Sequence, residues 1–475
     1  QMKIARFIKY SLTALTLSAS INAFALPSFV DNTKLMYFPP LVDQKGGSCA
    51  QASGIGYMFT YEINRLLDRN ASASTANQFA YLFTWNFVND GGDNGGFVDE
   101  GLMIARNFGV MTEADYGFAS VYQFKWASGY EKYHNASRYR VKKITKYDAT
   151  TEAELQKIKQ YLYDHGDGSK AGGLLTFSTR SSDWKIDDYY KGPSQTGYKS
   201  ILTKLATTGA HALTIAGYDD TVESTDADGN IHYGAFIVVN TWGNWWADKG
   251  RFYLPYYFFT NRENVSEISL SSTMQGCDVY VHEPKIMFKI RVNYSSRNDL
   301  RLTYGADPNP YAQSTPNNYN SIIVANQGGD YAMTGSYGDE NTKGILEFGI
   351  DYTDHMTSDD AQYGRYFLNI VRSQRGTKVG EGTIDYLSVY DYRGSKPVQY
   401  VCRNIKGKTL RLGNNSFSFS TLHPGHFSAS SLSTLDERGN VSNKTYIVRT
   451  ANGHIAKLKF SGSSNNINMN YTFLK

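Results

Sequence analysis

The chain has 475 residues, more than one hydrophobic core comfortably serves, so two domains are the expectation. Its 48 basic and 44 acidic side chains leave a net charge of only +4, with both signs mixed and no basic stripe, which excludes the electrostatic footprint of a nucleic-acid binder. An apolar fraction of 41% without low-complexity tracts excludes a disordered or fibrous chain.

In chain order, residues 1–25 read as an export signal. Lys3, Arg6 and Lys9 form a basic start, a short apolar stretch follows, and Ala23-Phe24-Ala25 supplies a small-residue cleavage pattern. The stretch is too short and too polar to span a bilayer, and no later segment is apolar enough. The expected product is exported, to the periplasm, the cell surface or the medium. It then meets an oxidising compartment with three cysteines, Cys49, Cys277 and Cys402. The odd number flags a free thiol; Cys277 and Cys402 are open either to pairing or to burial as inert thiols.

Residues 26–284 mix helix and strand patterns. Ala52, Ile55, Phe59, Ile63 and Leu66 recur at helical spacing, which predicts a helix opening at Cys49. Thr151 and Glu154 form a capping box ahead of a second helix that stops at Gly166. "GGLLTF" and "GAFIVVNTW" read as buried strands, and Asp226–Asn230 reads as a turn rather than a calcium loop. From Lys285 the character changes. Ile286, Phe288, Ile290 and Val292 alternate along one strand face, and six more strand-like runs follow, with Asn452-Gly453 as a two-residue hairpin signal. Short strands separated by turn chemistry predict a β-sandwich accessory domain over residues 285–475.

One stretch, "LVDQKGGSCAQASG" over residues 41–54, carries chemistry. A thiol attacks only as thiolate, and a helix N-terminus and a nearby imidazolium both stabilise that anion. Cys49 stands where the helix begins, and Gly46-Gly47 lets the chain approach without side-chain obstruction. Gln44 offers a carboxamide as an oxyanion donor beside the backbone N–H of Cys49. His211, in "GAHALTIAGYDD", supplies a base. Asn240, at the end of an apolar strand in "VVNTWGNWWADKG", supplies a side-chain carbonyl that can fix the imidazole tautomer, with Trp242 to cover that bond. The other histidines show no spacing that demands a metal, and no cofactor is called for.

These segments together resemble the papain-like cysteine peptidases over most of residues 35–260. Gln44 and "GSCAQAS" resemble the family's oxyanion glutamine and nucleophile helix, and "DNGGFVDEGLMIARNFGVMTEADYGF" its Asn-Gly-Gly segment and following helix. "HALTIAGY" resembles the histidine segment and "NTWGNWWADKGRFYL" the asparagine block. The resemblance implies an α+β fold, with a helical lobe and a β-barrel-like lobe ahead of the β-sandwich. It implies a polypeptide substrate, and an endopeptidase acting through a thioester on Cys49, with His211 as base and acid, Asn240 orienting it, and Gln44 with the Cys49 amide holding the oxyanion. Gly95 and Gly96 would lie along the substrate cleft, the Gly96 backbone pairing to an extended peptide. Phe97, Val98 and Ala212 would line an apolar pocket for the residue before the scissile one.

The departures are specific. Gln44 lies one residue closer to Cys49 than the family's usual spacing. Ala50 stands where a tryptophan is usual, and Trp246-Ala247 replaces Trp-Gly. The cysteine that precedes the family's Gly-Ser pair is absent, so that disulfide cannot form. Little chain separates the signal from Gln44, which leaves no room for the family's long inhibitory propeptide; Leu26–Pro40 and the C-terminal domain are candidates for any restraint. Two alternatives stay open: a catalytically silent papain-fold binding protein, and a surface protein whose C-terminal domain contacts protein or glycan.

Overall fold

The computed structural model describes residues 26–117, 124–263, 265–308, 312–321, 328–334, 344–356, 364–373, 379–402, 405–411, 416–423, 445–449, 455–463 and 466–474. The expected export signal and the Asn452-Gly453 turn lie outside the described residues.

The helix that opens at Cys49 runs to Leu66, and its middle, Ala52–Phe59, is π-helical and wholly buried. Small residues permit this burial. A side chain on Gly54 would meet Val98 at 2.9 Å, and one on Gly56 would meet Val42 at 3.3 Å. A helix buried on every side acts as a spine rather than a surface element. Leu66, which spacing assigns to the apolar face, is instead exposed, because the helix ends there and runs out past the core. Helices Tyr81–Val88 and Val98–Asn107 pack against the spine and contribute Phe83, Trp85, Phe87 and Leu102 to the same core.

Nine strands form the sheet beside these helices: β1 (Phe29–Asp31), β2 (Tyr139–Asp148), β3 (Leu175–Arg180), β4 (Lys185–Asp188), β5 (Ser200–Lys204), β6 (Ala210–Thr225), β7 (Ile231–Val239), β8 (Arg251–Pro255) and β9 (Thr273–Val281). Their order is β2-β9-β3-β6-β7-β8-β5-β4, with β1 against β6. The barrel-like lobe is thus an open sheet with β2 and β4 as edges, and no pairing among the described residues closes it. Register decides what matters for chemistry. β3 pairs antiparallel with β6 and sets Thr179 opposite His211. β7 ends at Val239 and delivers Asn240 at its exit. The helix Glu152–Asp164 shows the N-cap half of the expected capping box, Thr151 Oγ1 accepting the Glu154 N–H at 3.3 Å, and its Leu155, Ile158 and Leu162 join the sheet's core. The Asp226–Asn230 segment is a turn held by the Asp226 carboxylate, which accepts the backbone N–H groups of Asp228 and Asn230.

Beyond residue 285 the regular elements among the described residues are strands, apart from two short 3-10 turns at Arg297–Asp299 and Thr353–His355. β10 (Ile286–Tyr294), β11 (Leu300–Asp307), β12 (Tyr319–Asn320), β13 (Leu346–Asp351), β14 (Gly364–Arg372), β15 (Glu381–Asp391), β16 (Val398–Val401), β17 (Lys408–Arg411) and β18 (Phe417–His423) make two sheets. One has the order β13-β10-β15-β16, with β17 also on β15; the other is β12-β11-β14-β18. Phe288 on β10 meets Tyr304 and Tyr366 of the other sheet at ring-centroid distances of 5.7 and 5.8 Å. A third sheet pairs β19 (Thr445–Arg449), β20 (Ile455–Ser463) and β21 (Asn466–Leu474).

Alternation on β10 is incomplete as a guide to burial. Ile286, Phe288, Ile290 and Val292 are buried, but so is Met287 on the opposite face. That face packs on the helical half, where the Ser137 hydroxyl contacts the Met287 sulfur. The two halves share one continuous apolar core from Phe38 to Phe419. Polar contacts cross the same junction: Asp351 receives both Arg140 and His282, Tyr130 meets Tyr392 hydroxyl to hydroxyl at 2.8 Å, and the Arg297 guanidinium lies 4.1 Å from the Trp126 ring centroid. No helix of the described residues is long and apolar enough to cross a membrane.

Candidate active site

The turn ahead of Cys49 is built from small residues with one left-handed position. Gly46 has φ +50°, and the Ser48 hydroxyl donates to the Lys45 carbonyl at 2.6 Å. Gly47 lies against the facing loop so closely that a side chain there would stand 3.1 Å from the Gly95 nitrogen. The spine helix begins at Cys49, whose side chain is half-buried. Ser53, one turn on, donates to the Ala212 carbonyl at 2.9 Å and so ties this helix to β6 beside His211.

His211 sits near the start of β6 and is buried. Its Nε2 lies 2.8 Å from Asn240 Oδ1. The same oxygen accepts the Thr241 backbone N–H at 2.7 Å, and an N–H only donates, so this carboxamide atom is the oxygen. His211 therefore carries its proton on Nε2 when neutral, which leaves Nδ1 as the basic nitrogen. Asn240 is fully buried, and its Nδ2 has no partner among the described residues. Trp242 stacks on the imidazole at 4.7 Å and 23°, and Trp184 meets it edge-on at 6.1 Å. Trp184 also contacts Trp242 and Trp246, so three indoles screen the His211–Asn240 bond from water.

Cys49, His211, Gln44, Gly95, Gly96, Phe97, Val98, Ala212 and Trp242 line one cavity of about 520 Å³. Every site residue expected from the sequence is thus gathered there except Asn240, which sits behind His211. Ser178–Ser181, Glu267 and Ile268 complete the walls. Leu26–Pro40 does not enter: Phe29–Asp31 is committed to β1, and no lining residue precedes Gln44. A second cavity of about 520 Å³ lies by Pro39–Asp43, Tyr81 and Glu113, and holds neither Cys49 nor His211.

Burial raises the Cys49 thiol, against backbone hydrogen bonds that favour the thiolate. Burial also pulls His211 down to about 4, opposed by its bond to Asn240. Each group alone is held neutral.

The shortened spacing at Gln44 is absorbed locally. The Gln44 backbone N–H donates to the Thr241 carbonyl at 2.8 Å, its Oε1 accepts the Thr241 hydroxyl, and its Nε2 donates to the Gly46 carbonyl at 2.7 Å. A carboxamide has two N–H donors, so one remains for the cavity. Three residues with roles here were not legible as such. Thr241 fixes both Gln44 and the Asn240 oxygen. Tyr57 accepts the Val42 N–H at 2.8 Å and donates to the Asn240 carbonyl at 2.9 Å, joining the two segments. Trp184 shields the imidazole. Thr241 adjoins Asn240 and Tyr57 lies two turns past Cys49, but hydroxyl partners have no sequence signature; Trp184 has none either. Cys277 and Cys402 are not joined to each other and both are buried, so their open pairing resolves to buried thiols.

A family model described as papain family cysteine protease matches residues 26–272. Among solved structures the chain is similar to xylellain, a cysteine protease from Xylella fastidiosa, at 17% identity over 54% of this chain and 87% of that one, with a TM-score of 0.34. It is also similar to the bromelain protease from Ananas comosus in complex with the E64 inhibitor, at 15% identity over 53% of this chain and 99% of that one, TM-score 0.33. A recombinant stem bromelain precursor aligns at 16% identity over 54% of this chain and 71% of that one, TM-score 0.34. No curated protein sequence matches the chain.

Proposed function

The chain belongs to the papain family of cysteine proteases, and from that membership we propose that it is an exported endopeptidase whose nucleophile is Cys49. The observation that carries the reading is the buried 2.8 Å bond from His211 to Asn240 in the wall of the cavity that also holds Cys49. In the reaction, Nδ1 of His211 takes the thiol proton and the sulfur attacks the scissile carbonyl. The oxyanion that develops is met by the Cys49 N–H and the remaining Gln44 N–H. Collapse breaks the C–N bond, the amine leaves with the proton from His211, and a thioester remains. His211 then deprotonates water, which attacks the thioester; the carboxylate leaves and the proton returns to sulfur. Asn240 holds the imidazole in the tautomer this cycle needs.

The substrate reading follows the cavity walls. Gly95 and Gly96 give an extended peptide access to backbone, and Phe97, Val98 and Ala212 favour an apolar side chain one place before the scissile residue. We further propose that residues 1–25 are the export signal, that residues 26–284 form the peptidase domain, and that residues 285–475 form a β-sandwich domain. The competing reading, a silent binding protein, draws support from one contact: Gln44 spends a donor on Gly46.

Cleavage of a mixed peptide library by the wild type and by Cys49→Ala decides between them. Cuts that vanish in the variant support the peptidase. Cuts that persist in it place the nucleophile elsewhere, and no cuts by either protein favour the binder. A thiol-directed epoxide separates peptidase from binder independently: the peptidase labels fast at Cys49 in the wild type and slowly in His211→Ala, whereas the binder labels slowly in both.

A further inference from the structure

The cleft wall carrying Gly95 and Gly96 is held from two sides. On one side it meets residues 328–331 of the C-terminal half at backbone contact. A side chain on Gly91 would stand 2.5 Å from the Gly329 Cα, and one on Gly329 would stand 2.7 Å from the Gly91 Cα. Both residues have positive φ, +71° and +75°, so glycine alone lets the chains cross this closely. Two C-terminal side chains pin the crossing. Asn298 Nδ2 donates to Asp90 Oδ1 at 3.2 Å, and the Tyr331 hydroxyl donates to the Gly91 carbonyl at 3.3 Å. Both are themselves fixed: Asn298 Oδ1 accepts the Gly329 N–H at 3.0 Å, and the Tyr331 ring stacks on Phe124 at 5.8 Å and 8°.

On the other side, two residues past Gly91, Asp93 Oδ1 accepts the Gly47 N–H at 2.7 Å. Gly47 belongs to the turn that presents Gln44 and the Cys49 amide. A turn with two successive glycines is entropically loose unless something outside it supplies a restraint. Oxyanion donors stabilise a transition state best when they are fixed before the charge develops.

We propose that Asp93 is a positioning residue for peptide cleavage, and that the C-terminal half sets its place through the Gly91–Gly329 crossing. This rests on the reading of Cys49 as nucleophile. The C-terminal sheets then do more than bind or tether: they complete the outer support of the cleft, along a path from Tyr331 and Asn298 through the loop to Asp93, Gly47 and the oxyanion turn.

Full-length Asp93→Ala, Asp93→Asn and the remote double variant Asn298→Ala/Tyr331→Phe test it, by amide exchange at Gly47 and by steady-state kinetics. Asp93→Ala should speed Gly47 exchange about tenfold and lower kcat about tenfold, with KM within about twofold. Asp93→Asn keeps a carbonyl acceptor and should stay within about threefold of wild type on both measures. The remote variant should speed Gly47 exchange and lower kcat about threefold, and should add nothing further in an Asp93→Ala background. Wild-type Gly47 exchange in Asp93→Ala, or in the remote variant, overturns the proposal. So does a remote effect on kcat that multiplies fully with that of Asp93→Ala. A larger KM change than kcat change overturns the positioning role as well. Exchange needs no turnover, so a wild type that cleaves nothing sinks the peptidase reading while the Gly47 data still decide the coupling.

Discussion

On the sheet side of the cleft, His211 and Asn240 inherit their places from strand register. β3 pairs with β6 without interruption from Ala210 to Ile215, β7 pairs with β6 from Thr214 on with two register shifts, and the three indoles close over the imidazole. On the helix side, Gln44 and Gly47 occupy a glycine turn ahead of Cys49, held by two bonds to Thr241, one from Gly47 to Asp93 and one from Lys45 to the Tyr81 hydroxyl. A ladder distributes its restraint over many bonds, so losing one side chain leaves the backbone in place. A turn held by a few separate bonds shifts more readily when one of them is cut. The sheet wall should therefore tolerate substitution in position and lose only chemistry, whereas the helix wall should lose geometry as well.

The largest effect expected is that of Cys49→Ala, which removes the proposed nucleophile at the head of the spine helix while keeping a small apolar side chain against the core. Peptide hydrolysis should fall by at least about 10⁴-fold with the unfolding midpoint unchanged. Retained hydrolysis would end the assignment. Gln44→Ala comes next, about 10²-fold in kcat with little change in KM, because the carboxamide acts on developing charge. An unchanged kcat would make Gln44 a loop brace tied to Thr241 and nothing more. Asn240→Ala should cost about tenfold in kcat, since register still places His211 and only its tautomer and tilt are freed. Loss of soluble folded protein in parallel with activity would instead show that the sheet wall depends on this side chain, against the comparison.

A pH profile probes the sheet wall without mutation. Burial holds His211 at about 4, so the imidazole is neutral, and able to accept the thiol proton, at every pH above that value. kcat/KM should rise with pH through about 4 and lie flat from about pH 5 to 7. An acid limb near the ordinary histidine value would mean the indole cover admits water. The smallest effect lies just past the tryptophans. Ala247 has φ +44°, a left-handed position where the family pattern has glycine. Ala247→Gly should stabilise the protein by about 1 kcal/mol and leave kcat unchanged, as a thermal melt would read.

The difference between the walls also separates what is legible in sequence from what is not. The proposed site residues Cys49, His211 and Asn240 stand out because each sits in a local segment whose residue types suit the role proposed for it. Strands such as β10 are legible from alternation. β11, by contrast, escapes the sequence reading although Leu300, Leu302, Tyr304 and Ala306 alternate and are all buried. Alternation also puts Met287 on an outer face, because nothing in a strand's own pattern shows that a helix from the other half covers it. Leu66 fails in the opposite direction, since periodicity carries no information about where the core stops.

Local sequence by itself determined the chemistry: a thiol at a helix start, an imidazole in a strand, a carboxamide at a strand exit, and glycines where backbones must come close. Those choices depend on φ, hydrogen-bond capacity and burial, which neighbours along the chain express. Only the tertiary structure decided which nitrogen of His211 bears the proton, how Gln44 is braced, and that Asn298, Gly329 and Tyr331 hold the loop at Asp90 and Gly91. Such contacts join positions far apart in the chain, such as Gln44 with Thr241 and Asn298 with Asp90. They are set by how sheets and helices pack, which no short stretch of sequence encodes.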